Sequence, residues 1–66
     1  MTDDELRSQE YDVRNGIQMY GGGFMKKLGE VISYADIRNL RKIHDTWTED
    51  WERYLKMSLS YKSKQK

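Results

Sequence analysis

The segment Tyr20-Gly21-Gly22-Gly23-Phe24 constrains the fold of this chain more than any other, because it holds the only glycine cluster in a sequence that contains no proline. Glycine and proline are the strongest punctuators of regular structure. A chain of 66 residues with one such break, and without strand-like alternation on either side of it, reads as a helix, a joint and a helical body. The expected fold is therefore all-α, a small bundle of three to four short helices.

Before the joint, Thr2 stands three residues ahead of Glu5, the spacing of a capping box, and Asp3 and Asp4 suit the positive end of a helix dipole. Leu6, Val13, Ile17 and Tyr20 then recur on one face, which predicts a first, acidic helix over about residues 3–19. Asn15-Gly16 is the point at which it would break early. After the joint, Phe24, Leu28, Val31 and Ile32 fall at i, i+4, i+7 and i+8, with Lys26, Lys27 and Glu30 opposite. Gly29 inside that helix points to a second backbone passing close by. Ser33-Tyr34-Ala35-Asp36 reads as a turn, with Asp36 the N-cap of a third helix whose apolar face is Ile37, Leu40 and Ile43 or His44. Thr46 and Glu49 repeat the capping-box spacing and predict a fourth helix carrying Trp47, Trp51, Tyr54 and Leu55.

The helical body is thus expected over residues 24–59, in one domain spanning 1–59, with Phe24, Leu28, Val31, Ile32, Leu40 and Ile43 central to its core. Residues 60–66, Ser-Tyr-Lys-Ser-Lys-Gln-Lys, lack periodicity and are expected to form a flexible basic tail. The first helix, beyond three glycines, is the element expected to swing, swap or dock.

Charge is distributed unevenly. Asp3, Asp4, Glu5, Glu10 and Asp12 against Arg7 leave residues 1–12 at −4, whereas Arg53, Lys56, Lys62, Lys64 and Lys66 against Glu52 leave residues 52–66 at +4. Opposite ends of opposite sign attract each other or serve two partners, and fit a general polyanion binder poorly. No apolar run approaches the length of a membrane span and nothing reads as a signal peptide, so a soluble protein in a reducing compartment is expected.

Size sharpens the functional question. A domain this small rarely gains more than about 3–5 kcal/mol from its core, and natural examples add disulfides, a metal or a partner. Without cysteine, and with His44 as the sole histidine, neither a disulfide nor a His/Cys metal site can form. Catalysis is not expected either: Asp36, His44 and Asp45 are better read as a cap and a surface pair than as an acid–base cluster. The glycines lack the GxxxxGK[ST] spacing of a phosphate loop and read as a plain joint. No cofactor and no metal are expected.

Interaction surfaces remain. Trp47, Trp51 and Tyr54, spaced i, i+4 and i+7, would line one helical face, and Trp and Tyr are the residues most enriched at binding hot spots. The competing reading is that they form the core, as is expected of at least one tryptophan, with part of the set facing a partner; together with Tyr20 they form the candidate protein-binding set. Arg38, Arg41 and Lys42, off the apolar stripe of the third helix, complete it, and also furnish the alternative: a helix-turn-helix reading in which helix 37–45 meets DNA.

The stretch Tyr20-Gly21-Gly22-Gly23-Phe24-Met25-Lys26-Lys27-Leu28-Gly29-Glu30, followed by Ala35-Asp36 and Trp51-Glu52-Arg53-Tyr54, resembles a family of very small bacteriophage and prophage proteins of unassigned function. Their pattern is Gly-Gly-x-Phe-x-x-x-Leu-Gly, an Ala-Asp turn and an aromatic C-terminal helix, often opened by a proline where this chain has Thr48. The resemblance spans residues 20–54. It implies a phage-encoded accessory protein of the host cytoplasm, a class that commonly binds and inhibits or redirects a host protein or complex, such as a defence system in the manner of anti-CRISPR proteins. The thin core also allows a homodimer, and a minor virion component is a further alternative.

Overall fold

A computed structural model describes residues 1–64, and all of its regular structure is helical: α1 (Asp3–Tyr20), α2 (Gly23–Tyr34), α3 (Ile37–Thr46) and α4 (Thr48–Lys64). Local chemistry starts each element. Thr2 caps α1 through its hydroxyl, which accepts from the Glu5 N–H at 3.2 Å, while the Glu5 carboxylate accepts from the Thr2 N–H, completing the capping box. Asp36 caps α3 by accepting from the Asn39 N–H at 2.8 Å. The turn before it is only Ala35-Asp36; Ser33 and Tyr34 remain in α2.

Donation by the Thr2 backbone N–H, and by its hydroxyl, holds the Glu5 carboxyl below its ordinary value of 4.5. Because the folded-state value is depressed, the contribution is present above the ordinary value and lost as pH falls through the lowered one. Glu5→Gln keeps an acceptor at this position but cannot titrate. Urea midpoints are therefore expected to favour the native chain over E5Q at pH 7, and to converge as pH drops below 4.5.

The helix expected to swing is instead the centre of the fold. α1 packs against all three other helices, and its Leu6, Val13 and Ile17 are almost completely buried, joined by Ile32, Leu40, Trp51 and Tyr54. Its longest contact is with α4, and Gly16 makes that contact possible. A Cβ at Gly16 would overlap the Tyr54 carbonyl oxygen and lie 3.0 Å from the carbonyl carbon. Gly16 therefore does not break α1; it lets two backbones approach, a role expected of Gly29. At Gly29 the nearest group is a side-chain methyl of Ile17, 3.3 Å from an added Cβ.

The glycine triplet is tighter than a free joint. No glycine has positive φ, and Gly21 and Gly22 are both extended. Gly21 is required by space, since an added Cβ would stand 2.7 Å from the Ile17 carbonyl oxygen and 3.1 Å from Met25 Cβ; Gly22 and Gly23 face open surroundings.

Two further expectations change. Thr46 ends α3 and does not cap α4; the helix axis bends at Trp47 alone, whose φ of −115° and ψ of 41° are non-helical, and the Thr48 hydroxyl donates back to the His44 carbonyl at 2.7 Å. The tail expected to fray beyond Leu59 continues as helix to Lys64, and residues 65–66 lie outside the described residues. The extension is held because Ser58 and Lys62 reach α1: Ser58 is buried, and Lys62 pairs with Asp12 beneath the Tyr11 ring. Together with Arg41 on Asp3, this joins the acidic head to basic groups of the same chain.

Ser58 is 1% exposed and its hydroxyl has no hydrogen-bond partner. A buried unsatisfied hydroxyl costs about 1–3 kcal/mol. Ser58→Ala removes that group and adds helix propensity. It is expected to raise stability by about 1 kcal/mol in thermal or urea unfolding.

Candidate functional site

α2 packs on α1 and forms no comparable layer with α3 or α4. Its inward face is Met25, Leu28 and Ile32, with Gly29 between them, so that the stripe is rotated by one residue from the one the sequence suggested. Phe24 and Val31, expected in the core, are 62% and 54% exposed. Of the other expected core residues, Ile32 and Leu40 are buried, while Leu28 and Ile43 are half-buried against the core.

The outcome is an apolar face with no covering element. α2 and α3 are joined by the short Ala35-Asp36 turn, and their far ends meet where the Phe24 and Trp47 rings form a tilted pair, 5.5 Å between centroids. Near the turn, Val31, Tyr34, Ala35, Asn39, Lys42 and Ile43 line an open groove, with Tyr34 at 90% exposure. Large aromatic side chains are rarely left this exposed together without a use, and contiguous apolar patches on small soluble proteins mark interaction sites. Together with the Phe24–Trp47 pair, the exposed face extends along α2 from Phe24 to Tyr34, about 15 Å of helix rise, with the groove at its turn end.

The sequence-derived candidates separate into three groups. Trp51 and Tyr54 are 2% and 6% exposed and belong to the core. Trp51 donates through Nε1 to Gln9 Oε1 at 3.0 Å and meets the His44 ring edge-on, so these two are structural residues. Trp47, by contrast, is 37% exposed because the bend at its own backbone turns it away from the α4 face and toward Phe24. Tyr20 is half exposed at the end of α1, without ring contact to Phe24 or Trp47 among the described residues.

The three basic candidates also part. Arg41 is engaged, its guanidinium on the Asp3 carboxylate and on the Met1 carbonyl at 3.2 Å. Arg38 shares a shallow recess with Arg41 and Lys42, in which Asp3 and Asp45 are interleaved. Such a surface alternates in sign, whereas duplex DNA calls for a continuous basic stripe. Lys42 is exposed and lines the apolar groove as well.

Of the groups considered for catalysis, only His44 and Asp45 are brought together. Asp36 caps the start of α3, whereas His44 is near its end, eight residues and about 12 Å along the axis. His44 Nδ1 lies 3.0 Å from Asp45 Oδ1 and its ring packs on Trp51, a contact within the fold. Among the described residues no group of three His, Cys, Asp or Glu side chains is arranged to hold a metal. No described helix is long and apolar enough to cross a membrane.

Phe24, Val31 and Tyr34 are absent from the sequence-derived set. One signal for them existed: Gly29 shares a helical face with Met25 and Ile32, and a glycine in a helix marks the side where something packs closely. That places Phe24 and Val31 toward the solvent edge. Compared with known proteins, the chain matches no family model, no curated protein and no solved structure.

Proposed function

We propose that this chain is a non-enzymatic protein-binding module that engages its partner through the α2–α3 face, with Phe24, Val31, Tyr34 and Trp47 as anchors. One observation carries the reading: four large apolar side chains stand exposed on adjoining elements of a domain whose core is already filled by others. Aromatic anchors of this kind dominate binding energies out of proportion to their number. A partner seated here also supplies stabilisation of the kind that small domains without disulfides or metals commonly draw on.

The resemblance to small phage accessory proteins gives the proposal its biological form: a protein of the host cytoplasm that inhibits or redirects a host protein or complex, such as a defence system. This rests on analogy of class. DNA binding through helix 37–45 is the weaker alternative, since Arg41 is tied to Asp3 and Met1.

Capture from host lysate, with three baits, tests the reading. The baits are the native chain, a face variant (Phe24→Ser, Val31→Ser, Tyr34→Ser) and a control altered on the far side (Tyr11→Ser). A protein retained by the native and control chains and lost by the face variant is the expected result. Equal retention by all three baits, or retention of nucleic acid alone, contradicts it.

A further inference from the structure

We infer that the α2–α3 groove accepts an acidic amphipathic helix of a partner protein; the inference rests on the binding role proposed for this face and adds the chemistry of what fills it. The groove lies between α2 and α3 at the turn end of an exposed face that runs about 15 Å along α2, a length that suits nearly three turns of a third helix laid along it. Its walls are apolar, and among its lining residues there is no carboxylate. Lys42 rims it on the α3 side and has no ion-pair partner among the described residues. On the α2 side Lys27 falls between Phe24 and Val31 on the exposed face, with an ammonium 80% exposed and held only loosely, 3.6 Å from Glu30. Cations on both helices beside this face, Lys42 in the groove lining and Lys27 one turn before Val31, select carboxylates beside the apolar stripe of the incoming helix.

The same charges disfavour a second copy of this chain. A two-fold interface through the groove sets Lys27 and Lys42 of one copy against the same residues of the other, and juxtaposed like charges weaken association. Nor can α1 of another copy serve as the acidic helix, because Leu6, Val13 and Ile17, its apolar stripe, are consumed by its own core. A lipid surface is a poorer match than a helix, since Ile43 and Ala35 sit inside a concave groove that a flat interface does not reach.

Two designed helical peptides of about 16 residues, roughly four turns, provide the test. Both carry Leu at i, i+4, i+7 and i+11; one is flanked by Glu and the other by Lys at the same positions. Each is titrated into the full-length, isotope-labelled protein and followed by backbone amide shifts. The Glu peptide is expected to bind about tenfold more tightly than the Lys peptide, the scale of two exposed ion pairs gained or opposed. Shifts should be confined to α2, α3 and Trp47, and Lys27→Glu combined with Lys42→Glu should invert the preference.

Equal affinity, no binding of either peptide, or shifts centred on another face overturns the inference. So does a dimer that grows with concentration in sedimentation and involves the groove, or binding to phosphatidylglycerol vesicles through the groove without binding of the Glu peptide. The two levels remain separable. If the face variant loses its lysate partner while the peptides show no charge preference, the acidic-helix inference fails and the binding face stands; if the partner is indifferent to the face variant, the binding face itself fails.

Discussion

Gly16→Ala is expected to destabilise the protein by about 2–4 kcal/mol, a large share of the stability of a domain whose total is of the order of 5 kcal/mol. The added methyl overlaps a backbone carbonyl oxygen, that of Tyr54, and backbone cannot rotate away as a side-chain tip can. α1 and α4 must therefore separate along the contact that buries Val13, Ile17, Trp51 and Tyr54. Helix propensity acts in the opposite direction, since alanine is favoured over glycine inside a helix by about 1 kcal/mol, and the loss is what remains after that gain. Gly23→Ala supplies the control: an added Cβ there meets nothing within 4 Å, φ is not positive, and a gain of about 0.4–1 kcal/mol is expected. Thermal melts of the two variants should move in opposite directions. A neutral or stabilising Gly16→Ala would show that the α1–α4 approach is looser than described.

The second large effect separates the two tryptophans. Trp51→Ala is expected to cost about 3–5 kcal/mol and to bring the domain to the edge of unfolding, because it opens a large cavity among Val13, Ile17 and Ile32. It also strands the Gln9 side-chain oxygen, which accepts from the Trp51 indole N–H, and removes the edge-on contact with His44. Trp47→Ala removes a ring that is 37% exposed, stacks on the exposed Phe24 ring and borders the recess beside Leu28, Ile43 and Trp51, so a loss of about 1–2 kcal/mol is expected, with the fold retained. Circular dichroism during urea titration distinguishes the two. Similar losses for both would mean that Trp47 is as much a core residue as Trp51.

The contrast shows which information the sequence carried. Helix starts were legible where they depend on contacts three residues apart: the Thr2–Glu5 box and the Asp36 cap both form as their spacing predicts. The register of α2 was not. Phe24, Leu28, Val31 and Ile32 make one valid stripe, and Met25, Leu28 and Ile32 make another, and only the partner helix decides between them. The partner, α1, was expected to be peripheral because three glycines precede α2. In the folded chain, Gly21 is instead wedged between the Ile17 carbonyl and Met25, which keeps α1 close.

The tail was misread for a related reason. Ser60 to Lys64 have little apolar content, but helix continues where side chains pack on or pair with a neighbouring element: Ser58 is buried and Lys62 pairs with Asp12 of α1. Trp47, Trp51 and Tyr54 share one face only if the helix is continuous through Trp47. The bend there divides them, leaving Trp51 and Tyr54 to the core and Trp47 to the α2–α3 face. No periodicity argument anticipates a one-residue bend without glycine or proline.

The account thus holds that the chain folds on α1 and leaves the α2–α3 face for a partner. Urea unfolding of the Phe24→Ser, Val31→Ser, Tyr34→Ser variant tests this most directly. These side chains are 62%, 54% and 90% exposed, so the unfolding free energy is expected to stay within about 1 kcal/mol of the native value, with an unchanged denaturant slope. A loss of about 3 kcal/mol or more would place these residues among those that hold the fold together, and would contradict the account.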